Sequence, residues 1–163
     1  MTIAADQLRR LMRLWTSGVT IVTARVGEQA HGMTVSAFTS ISLDPPLVLV
    51  SLANTSLTGD LVRRGGHFGV TILAEGQERI SDRFAGCSED ADGRFAGIAL
   101  EHLSSGVPFL QGGLAYLDCR LVAVHPGGTS TLYIGEVTAS WQADSGRPLV
   151  YFDREYQDLC PGG

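Results

Sequence analysis

The chain has 163 residues, of which 44% are apolar and 18% are charged, with 12 Lys and Arg against 17 Asp and Glu. This profile is typical of one globular domain with a sizeable core and excludes a disordered or fibrous chain. The net charge of −5, without a basic stripe, argues against nucleic-acid binding, and the most apolar stretch, residues 45–53, is too short to cross a membrane.

The first predicted element is an amphipathic helix over residues 6–15, with Asp6 as its candidate N-cap. Its apolar residues recur at helical spacing: Leu8, Leu11, Met12 and Trp15. A stripe of this kind predicts that Met12 and Trp15 pack in the core rather than against a cofactor. The basic residues of this helix, and the pair Arg63-Arg64 further on, are interpreted as solvated helix faces.

The rest of the chain is rich in predicted strands. They cover the β-branched or apolar runs 19–24, 47–52, 67–73, 114–124, 130–141 and 148–153, and residues 33–42 alternate small polar with apolar residues. Two short helices are predicted at residues 58–64 and 77–84, and a loop at 85–97. Because no regular crossover helices separate the strands, a Rossmann sheet is excluded. We predict one mainly β domain over residues 1–163, an antiparallel barrel, closed or nearly closed, with a few short helices.

The cysteines and histidines do not form a recognisable site. Cys87, Cys119 and Cys160 are odd in number and far apart, so neither a disulfide framework nor a metal site is expected, and the four histidines are equally dispersed. Unpaired thiols fit a reducing compartment, and residues 1–7 lack the features of a signal peptide. We therefore expect a cytoplasmic protein.

Hydroxyl-bearing and small residues are concentrated in two segments, 32–40 and 51–58. The second segment leads into a predicted helix, whose free N–H groups would suit a phosphate. A strand of small residues lets the backbone approach a flat ring. From the spacing alone, ordinary strand residues and a helix cap are the favoured interpretation, and the chain contains no P-loop, GxGxxG, HExxH or GxSxG motif.

Several segments nevertheless resemble the flavin reductase-like, FMN-binding split-barrel family. The most distinctive is GMTVSAFTSISLDPPLV at residues 32–48, and WTSGVTIVT at residues 15–23 resembles the family's opening motif. Shorter similar segments are residues 68–73, 77 with 83–85, 106–108, 134–137 and 148–151 with Tyr156. The resemblance implies an antiparallel split β-barrel, a homodimer, and hydride transfer from NADH or NADPH to FMN, with FAD also a candidate. Reduced flavin would diffuse to a partner flavin-dependent monooxygenase.

The resemblance also implies a set of flavin contacts. These residues are Thr34, Val35, Ser36, Ala37 and Ser40 at the isoalloxazine edge, Ser51, Leu52 and Ala53 along the ring and ribityl chain, Asn54, Ser56 and Thr58 at the ribityl and phosphate end, and Arg83 and Phe84 closing the site. Ser130 stands where many family members carry a histidine beside the nicotinamide, and Tyr156 is placed on the same side of the flavin.

Two alternatives stay open at this point. Ser130 would suit a non-catalytic FMN-binding module that has lost nicotinamide binding. An FMN-dependent oxidase of the pyridoxamine-phosphate oxidase type must also hold a substrate phosphate, and would need more clustered Arg and Lys than this chain has.

Overall fold

The computed structural model describes residues 2–87 and 93–159. Within them the helices are α1 (Ala5–Met12), α2 (Leu57–Gly65) and α3 (Glu78–Phe84). The strands are β1 (Ser17–Gly18), β2 (Thr20–Val26), β3 (Gln29–Val35), β4 (Phe38–Leu43), β5 (Pro46–Ala53), β6 (His67–Ile72), β7 (Leu100–His102), β8 (Pro108–Leu110), β9 (Ala115–Gly127), β10 (Ser130–Gln142), β11 (Val150–Phe152) and β12 (Glu155–Gln157).

Seven strands form one antiparallel sheet in the order β3-β2-β6-β9-β10-β5-β4. Its two outermost strands are consecutive in the chain, because β3 ends at Val35 and β4 begins at Phe38. The two sheet edges therefore meet at the two-residue link Ser36-Ala37, where β3 and β4 are not paired with each other. The sheet is an antiparallel barrel split at this link, which confirms the predicted fold class.

The strand pattern explains how the barrel is filled. Along β5, Val48, Val50 and Leu52 are buried while the residues between them are partly exposed, as expected of a strand with one face on the core. Buried side chains from six strands and α2 form one cluster inside the barrel, which includes Phe68 and Tyr133. Burial of this apolar surface is the main contribution to the stability of the sheet.

Helix α2 lies next to the barrel and is defined by its caps. The Ser56 hydroxyl accepts a hydrogen bond from Gly59 N at 3.1 Å, and Gly66 ends the helix in a left-handed conformation with φ of 71°. Its buried side chains Leu61 and Val62 belong to the barrel core. The orientation of α2 places its N-terminus directly after the end of β5.

The N-terminal helix differs from its prediction. It ends at Met12 rather than at residue 15, begins after Ala4 without a side-chain cap, and buries none of its residues. Met12 and Trp15 are 53% and 71% exposed, so the expectation that they pack in the core is wrong. Asp6 lies within the first turn, where it pairs with Arg9, and is not the cap.

Shorter elements were not predicted or were divided differently. Residues 33–42 form parts of two strands, because β3 ends at Val35 and β4 begins at Phe38, after the link 36–37. The short strands β7 and β8 pair with each other, and β11 pairs with both β1 and β12. Part of the predicted loop 85–97 and Cys160 lie outside the described residues. No helix in the described ranges has the length and apolar character needed to cross a membrane.

Candidate functional site

The split between β3 and β4 exposes a short length of main chain. Ser36 and Ala37 are exposed, and among the residues described their N–H groups donate no hydrogen bond. Thr34, just before them, is held in place because its hydroxyl donates to the Ser81 carbonyl oxygen at 2.6 Å. Two adjacent free N–H groups beside small side chains can approach a flat, polar-edged ring and donate to it. This geometry fits the edge of an isoalloxazine ring.

The C-terminal end of strand β5 is hydrogen-bonded to the 36–37 link. Ser51 N donates to the Ala37 carbonyl oxygen at 3.0 Å, so two of the segments predicted to bind flavin are adjacent. Ser40, on β4, pairs with Val48 of β5 and is exposed. The chain then runs through Ala53, Asn54 and the Ser56 cap into α2. The edge of a ring at 34–37 and a phosphate at the N-terminus of α2 would therefore be connected along β5.

Polar side chains connect the end of β5 to the β9–β10 hairpin. Asn54 donates from Nδ2 to the Gly128 carbonyl oxygen at 2.9 Å, and its Oδ1 accepts from the Thr131 hydroxyl at 2.8 Å. Arg63 of α2 donates to the same Thr131 hydroxyl at 3.4 Å and lies 5.6 Å from the centre of the Tyr133 ring. Arg63 is exposed, as predicted for a solvated helix face, and its guanidinium also lies beside the β9–β10 hairpin.

Ser130 lies next to the polar side chains that connect the end of β5 to the β9–β10 hairpin. It is half-buried at the start of β10 and pairs with Ala53 of β5. Its short side chain therefore lies beside the strand predicted to line the flavin.

Two open cavities meet at the 36–37 link. The first, called here the α1 cavity, has a volume of about 400 Å³ and is lined by Arg9, Met12, Arg13, Trp15, Ser17, Ser36, Ala37, Tyr151, Asp153 and Arg154. The second, called the α3 cavity, has a volume of about 260 Å³ and is lined by Val19, Thr34, Ser36, Ser81, Asp82, Ala85, Cys87, Tyr151, Arg154 and Tyr156. The two share Ser36, Tyr151 and Arg154. Their sizes are near the lower end of those of small-molecule sites.

Tyr156 is held in the α3 cavity by Asp82, to which its hydroxyl donates at 2.6 Å. Burial, followed by this hydrogen bond, raises the pKa of Tyr156 to about 12. The phenol therefore stays protonated at neutral pH, and its oxygen keeps the capacity to accept a hydrogen bond from a ligand. Tyr156 thus lies near Thr34 and Ser36, while Ser130 lies near Ala53.

Three predicted flavin contacts have side chains that face the interior. Leu52, Thr58 and Phe84 are fully buried. The Thr58 hydroxyl bonds to His31 Nδ1 at 2.8 Å, and Phe84 packs edge-on against Phe95 at 5.2 Å between ring centres. Interior packing leaves the main chain of these residues, rather than their side chains, for a ligand, and their place in the flavin site stays a prediction. Val35 is likewise buried on the barrel side.

Arg83 lies on another face of α3. It donates to the Ala96 carbonyl oxygen at 2.8 Å and lines a separate cavity with Arg79 and Gln111, which contains none of the other predicted flavin residues. Arg83 lines neither of the two cavities at the 36–37 link. Its role in closing the flavin site stays a prediction.

Several residues that line the two cavities were not predicted from the sequence to belong to a site. They are Arg9, Arg13, Trp15, Tyr151, Asp82 and Arg154. The apolar stripe of α1 was the available signal, but the pattern of a helix that packs in the core is identical to that of a helix that borders a site. Residues 151–154 give no signal, because only the pairing of β11 with β1 and β12 brings them to the link.

The described part of the chain gathers no set of metal ligands. Within residues 2–87 and 93–159, no three His, Cys, Asp or Glu side chains come close enough together to hold a metal ion. His31 is half-buried, and burial followed by the nearby charge of Arg94 lowers its pKa. A neutral His31 bonded to Thr58 is a structural contact between β3 and α2.

Comparison with known proteins gives consistent matches over nearly the whole chain. Residues 12–159 match the family described as flavin reductase like domain. An NADH-dependent flavin reductase from Rhodococcus sp. is 43% identical over 156 residues, which cover 93% of this chain and 85% of that protein. The reductase component of 4-hydroxyphenylacetate 3-monooxygenase from Thermus thermophilus is 39% identical, covering 94% of this chain and 96% of the relative.

Solved structures agree with these sequence matches. Flavin reductase PheA2 superimposes with a TM-score of 0.90 at 32% identity, covering 98% of this chain and all of the other. The Streptomyces globisporus NADH:FAD oxidoreductase SgcE6, in complex with NAD and FAD fragments, gives a TM-score of 0.89 at 28% identity and covers 99% and 98% of the two chains.

Proposed function

The chain belongs to the flavin reductase-like domain family, and from this premise we propose that it is an NAD(P)H:flavin oxidoreductase that reduces FMN, or FAD, for a partner monooxygenase. The observation that supports this most directly is the exposed Ser36-Ala37 link with its two free N–H groups, next to two open cavities. The relatives in Rhodococcus and Thermus are named for the same reaction and for a reductase component.

The residues present fit a flavin. The N–H groups of Ser36 and Ala37 would donate to the polar edge of the ring, and Ser51 and Ala53 would lie along its ribityl chain. The N-terminus of α2, with Ser56, Asn54 and the nearby Arg63, would hold the phosphate. The flavin, when bound, accepts a hydride directly from a nicotinamide, so no acid or base from the protein is required.

The task left to the protein is positioning. A nicotinamide ring must lie against the exposed face of the flavin, within van der Waals contact. The α3 cavity, which begins at Thr34 and Ser36 and ends at Tyr156, is suited to receive it. The Tyr156 hydroxyl donates its hydrogen bond to Asp82, so its oxygen would be able to accept a hydrogen bond from the carboxamide.

We expect the purified chain to oxidise NADH when free FMN is added, because both rings can be brought together at the link. The measurement is the loss of absorbance at 340 nm, under anaerobic conditions, with the matching loss of the oxidised flavin band. NADPH and FAD in place of NADH and FMN give the preferences. A protein that binds FMN but leaves NADH and NADPH unchanged would instead be the non-catalytic flavin carrier.

We also place the enzyme in the cytoplasm as a homodimer. Exposed apolar side chains on β4, β9 and β10 of the large sheet support a dimer: Ile41, Leu43, Val122, Val124 and Trp141. An obligate two-fold interface commonly buries upwards of about 2,000 Å². Light scattering at micromolar concentration should give the mass of two chains, whereas the mass of one chain would contradict this assembly. The exposed, unpaired Cys87 thiol is in keeping with a reducing compartment.

A further inference from the structure

Another open cavity lies beside the β7–β8 hairpin and shares no lining residue with the two cavities at the 36–37 link. It has a volume of about 280 Å³ and is called here the β7–β8 cavity. Its lining includes Glu101 and His102 of β7, Gln111 and Gly112 after β8, Tyr116 of β9 and Trp141 of β10. No residue of the segments 34–37 and 51–58 lines it, so it is separate from the proposed flavin site.

Three stacked aromatic rings lead from the interior of the protein to this cavity. Phe109 stacks on Tyr116 with 5.2 Å between the ring centres, and Tyr116 stacks on Trp141 at 4.6 Å. Phe109 and Tyr116 are buried, whereas Trp141 is 45% exposed. Because Tyr116 covers only one face of Trp141, the stack holds the indole in place and leaves part of its surface for a ligand.

The carboxylate of Glu101 gives the cavity its negative charge. Its Oε1 accepts a hydrogen bond from Gln111 Nε2 at 3.2 Å, while within residues 2–87 and 93–159 its Oε2 has neither a donor nor a cation as a partner. The lining contains no Lys or Arg, and His102 is its one basic side chain. The charge reaches the aromatic stack, since burial, followed by the nearby charge of Glu101, raises the pKa of Tyr116.

A carboxylate beside an exposed indole is a combination that recognises an organic cation. Tryptophan is the aromatic side chain that attracts a cation most strongly, and a carboxylate accepts charge-assisted hydrogen bonds from guanidinium or ammonium groups. A metal ion needs several side-chain ligands, and the described part of the chain brings no three of them together. The net charge of −5 also favours the approach of a cation over that of an anion.

We propose that the β7–β8 cavity binds a small organic cation, whose guanidinium or alkylammonium group lies between the Glu101 carboxylate and the Trp141 indole. The volume suits such a head group with a short aliphatic chain. This site goes beyond the proposed function and does not depend on it, because it takes a ligand that is neither flavin nor nicotinamide. The bound cation undergoes no reaction.

The test uses butylguanidinium as the probe and butylurea as its neutral counterpart of nearly the same shape. The chain has two tryptophans, Trp15 and Trp141, so Trp15→Phe leaves Trp141 as the single indole reporter. Butylguanidinium should change the fluorescence of this variant in a saturable way, with a Kd in about the millimolar range expected of a ligand with few atoms. Butylurea should bind about tenfold more weakly, and added salt should weaken only the cation.

Variants of the two proposed contacts are compared by ligand-observed NMR, which needs no indole. Glu101→Gln keeps an acceptor for Gln111 but removes the charge, so it should weaken butylguanidinium about tenfold or more. Trp141→Leu should weaken it about two- to tenfold, and Trp141→Phe, which keeps a ring, should weaken it less. Glu28→Gln is the matched control, because Glu28 is an exposed carboxylate 3.8 Å from Arg25 and does not line the cavity.

The same NMR titration of the wild-type chain keeps the test valid if Trp15→Phe does not fold. Equal binding of butylguanidinium and butylurea, or equal affinity of the wild type and Glu101→Gln, would overturn the proposal. Binding of a short arginine-containing peptide without binding of butylguanidinium would also overturn it, and would assign the cavity to a protein partner.

The dimer proposed above provides a further check, because Trp141 also belongs to its apolar surface. Acrylamide should quench the Trp141 fluorescence of Trp15→Phe, and butylguanidinium should reduce this quenching. If a second chain covers the cavity, acrylamide will not reach Trp141 and no cation will bind, which would contradict the site. FMN affinity and NADH oxidation should be the same in Glu101→Gln and the wild type, so failure of this proposal is distinguishable from failure of the proposed function.

Discussion

Replacing Gly135 with alanine should destabilise the protein by about 1–3 kcal/mol, the range typical of overpacking in a close-packed core. A Cβ at this position would lie 2.6 Å from two ring carbons of Phe68 and 2.8 Å from Cys119 Cβ. Phe68 and Cys119 are fully buried in the barrel core, on the paired strands β6 and β9, so a shift of either would disturb their packed neighbours. This clash outweighs the smaller benefit of alanine in the unfolded chain.

The measurement is the free energy of unfolding by urea at equilibrium, with the melting temperature as a second readout. For a chain of this length, each kcal/mol corresponds to about 2–4 °C. Gly18→Ala is the matched control, because Gly18 is also a strand glycine but has nothing within 4 Å of the added carbon. If the two variants were equally stable, the close approach of β6, β9 and β10 at Gly135 would be wrong.

Replacing Ser36 with phenylalanine should have the largest effect on flavin binding. Ser36 is exposed and lines both cavities, so the ring would occupy the space assigned to the isoalloxazine while leaving the barrel core untouched. A steric misfit of about 1–3 kcal/mol corresponds to a rise in Kd of about 5- to 150-fold. Affinities for FMN and riboflavin should decline together, because the ring and not the phosphate is displaced.

Fluorescence titration of the two flavins measures this effect, and circular dichroism checks that the variant is folded. Gln29→Phe is the control, since Gln29 is exposed at the start of β3, the strand that ends at Val35 just before Ser36. Ser36→Ala should lose much less affinity than Ser36→Phe, because the proposed contact is the main-chain N–H. Tight FMN binding by Ser36→Phe would move the flavin away from the link.

The order of the main elements was accessible from the sequence for a physical reason. Apolar alternation along β5 and the β-branched run of β2 reflect burial on one or both faces, and this burial is what stabilises a strand. Glycine and proline likewise mark turns through their backbone preferences. The short strands β7, β8 and β12 lack such a signal, because three residues are too few to show a period.

The exposure of individual residues could be predicted less well from the sequence. Thr58 has the same local pattern as a phosphate-binding hydroxyl, but packing of α2 on β3 turns it towards His31. Phe84 follows Arg83 in the family-like segment, yet the two face different surroundings once α3 is packed. A helix pattern defines which residues share a face but not what that face contacts.

By itself, therefore, the sequence determined a mainly β barrel with short helices, its family, and the two small-residue segments at 32–40 and 51–58 that meet at the 36–37 link. Those properties depend on local periodicity and on contiguous motifs. Only the tertiary structure brought Arg13 and Arg154 to the lining of one cavity, because 140 residues separate them in the chain. The pairing of β1 with β11 brings them to one cavity, and no local pattern encodes a contact over that separation.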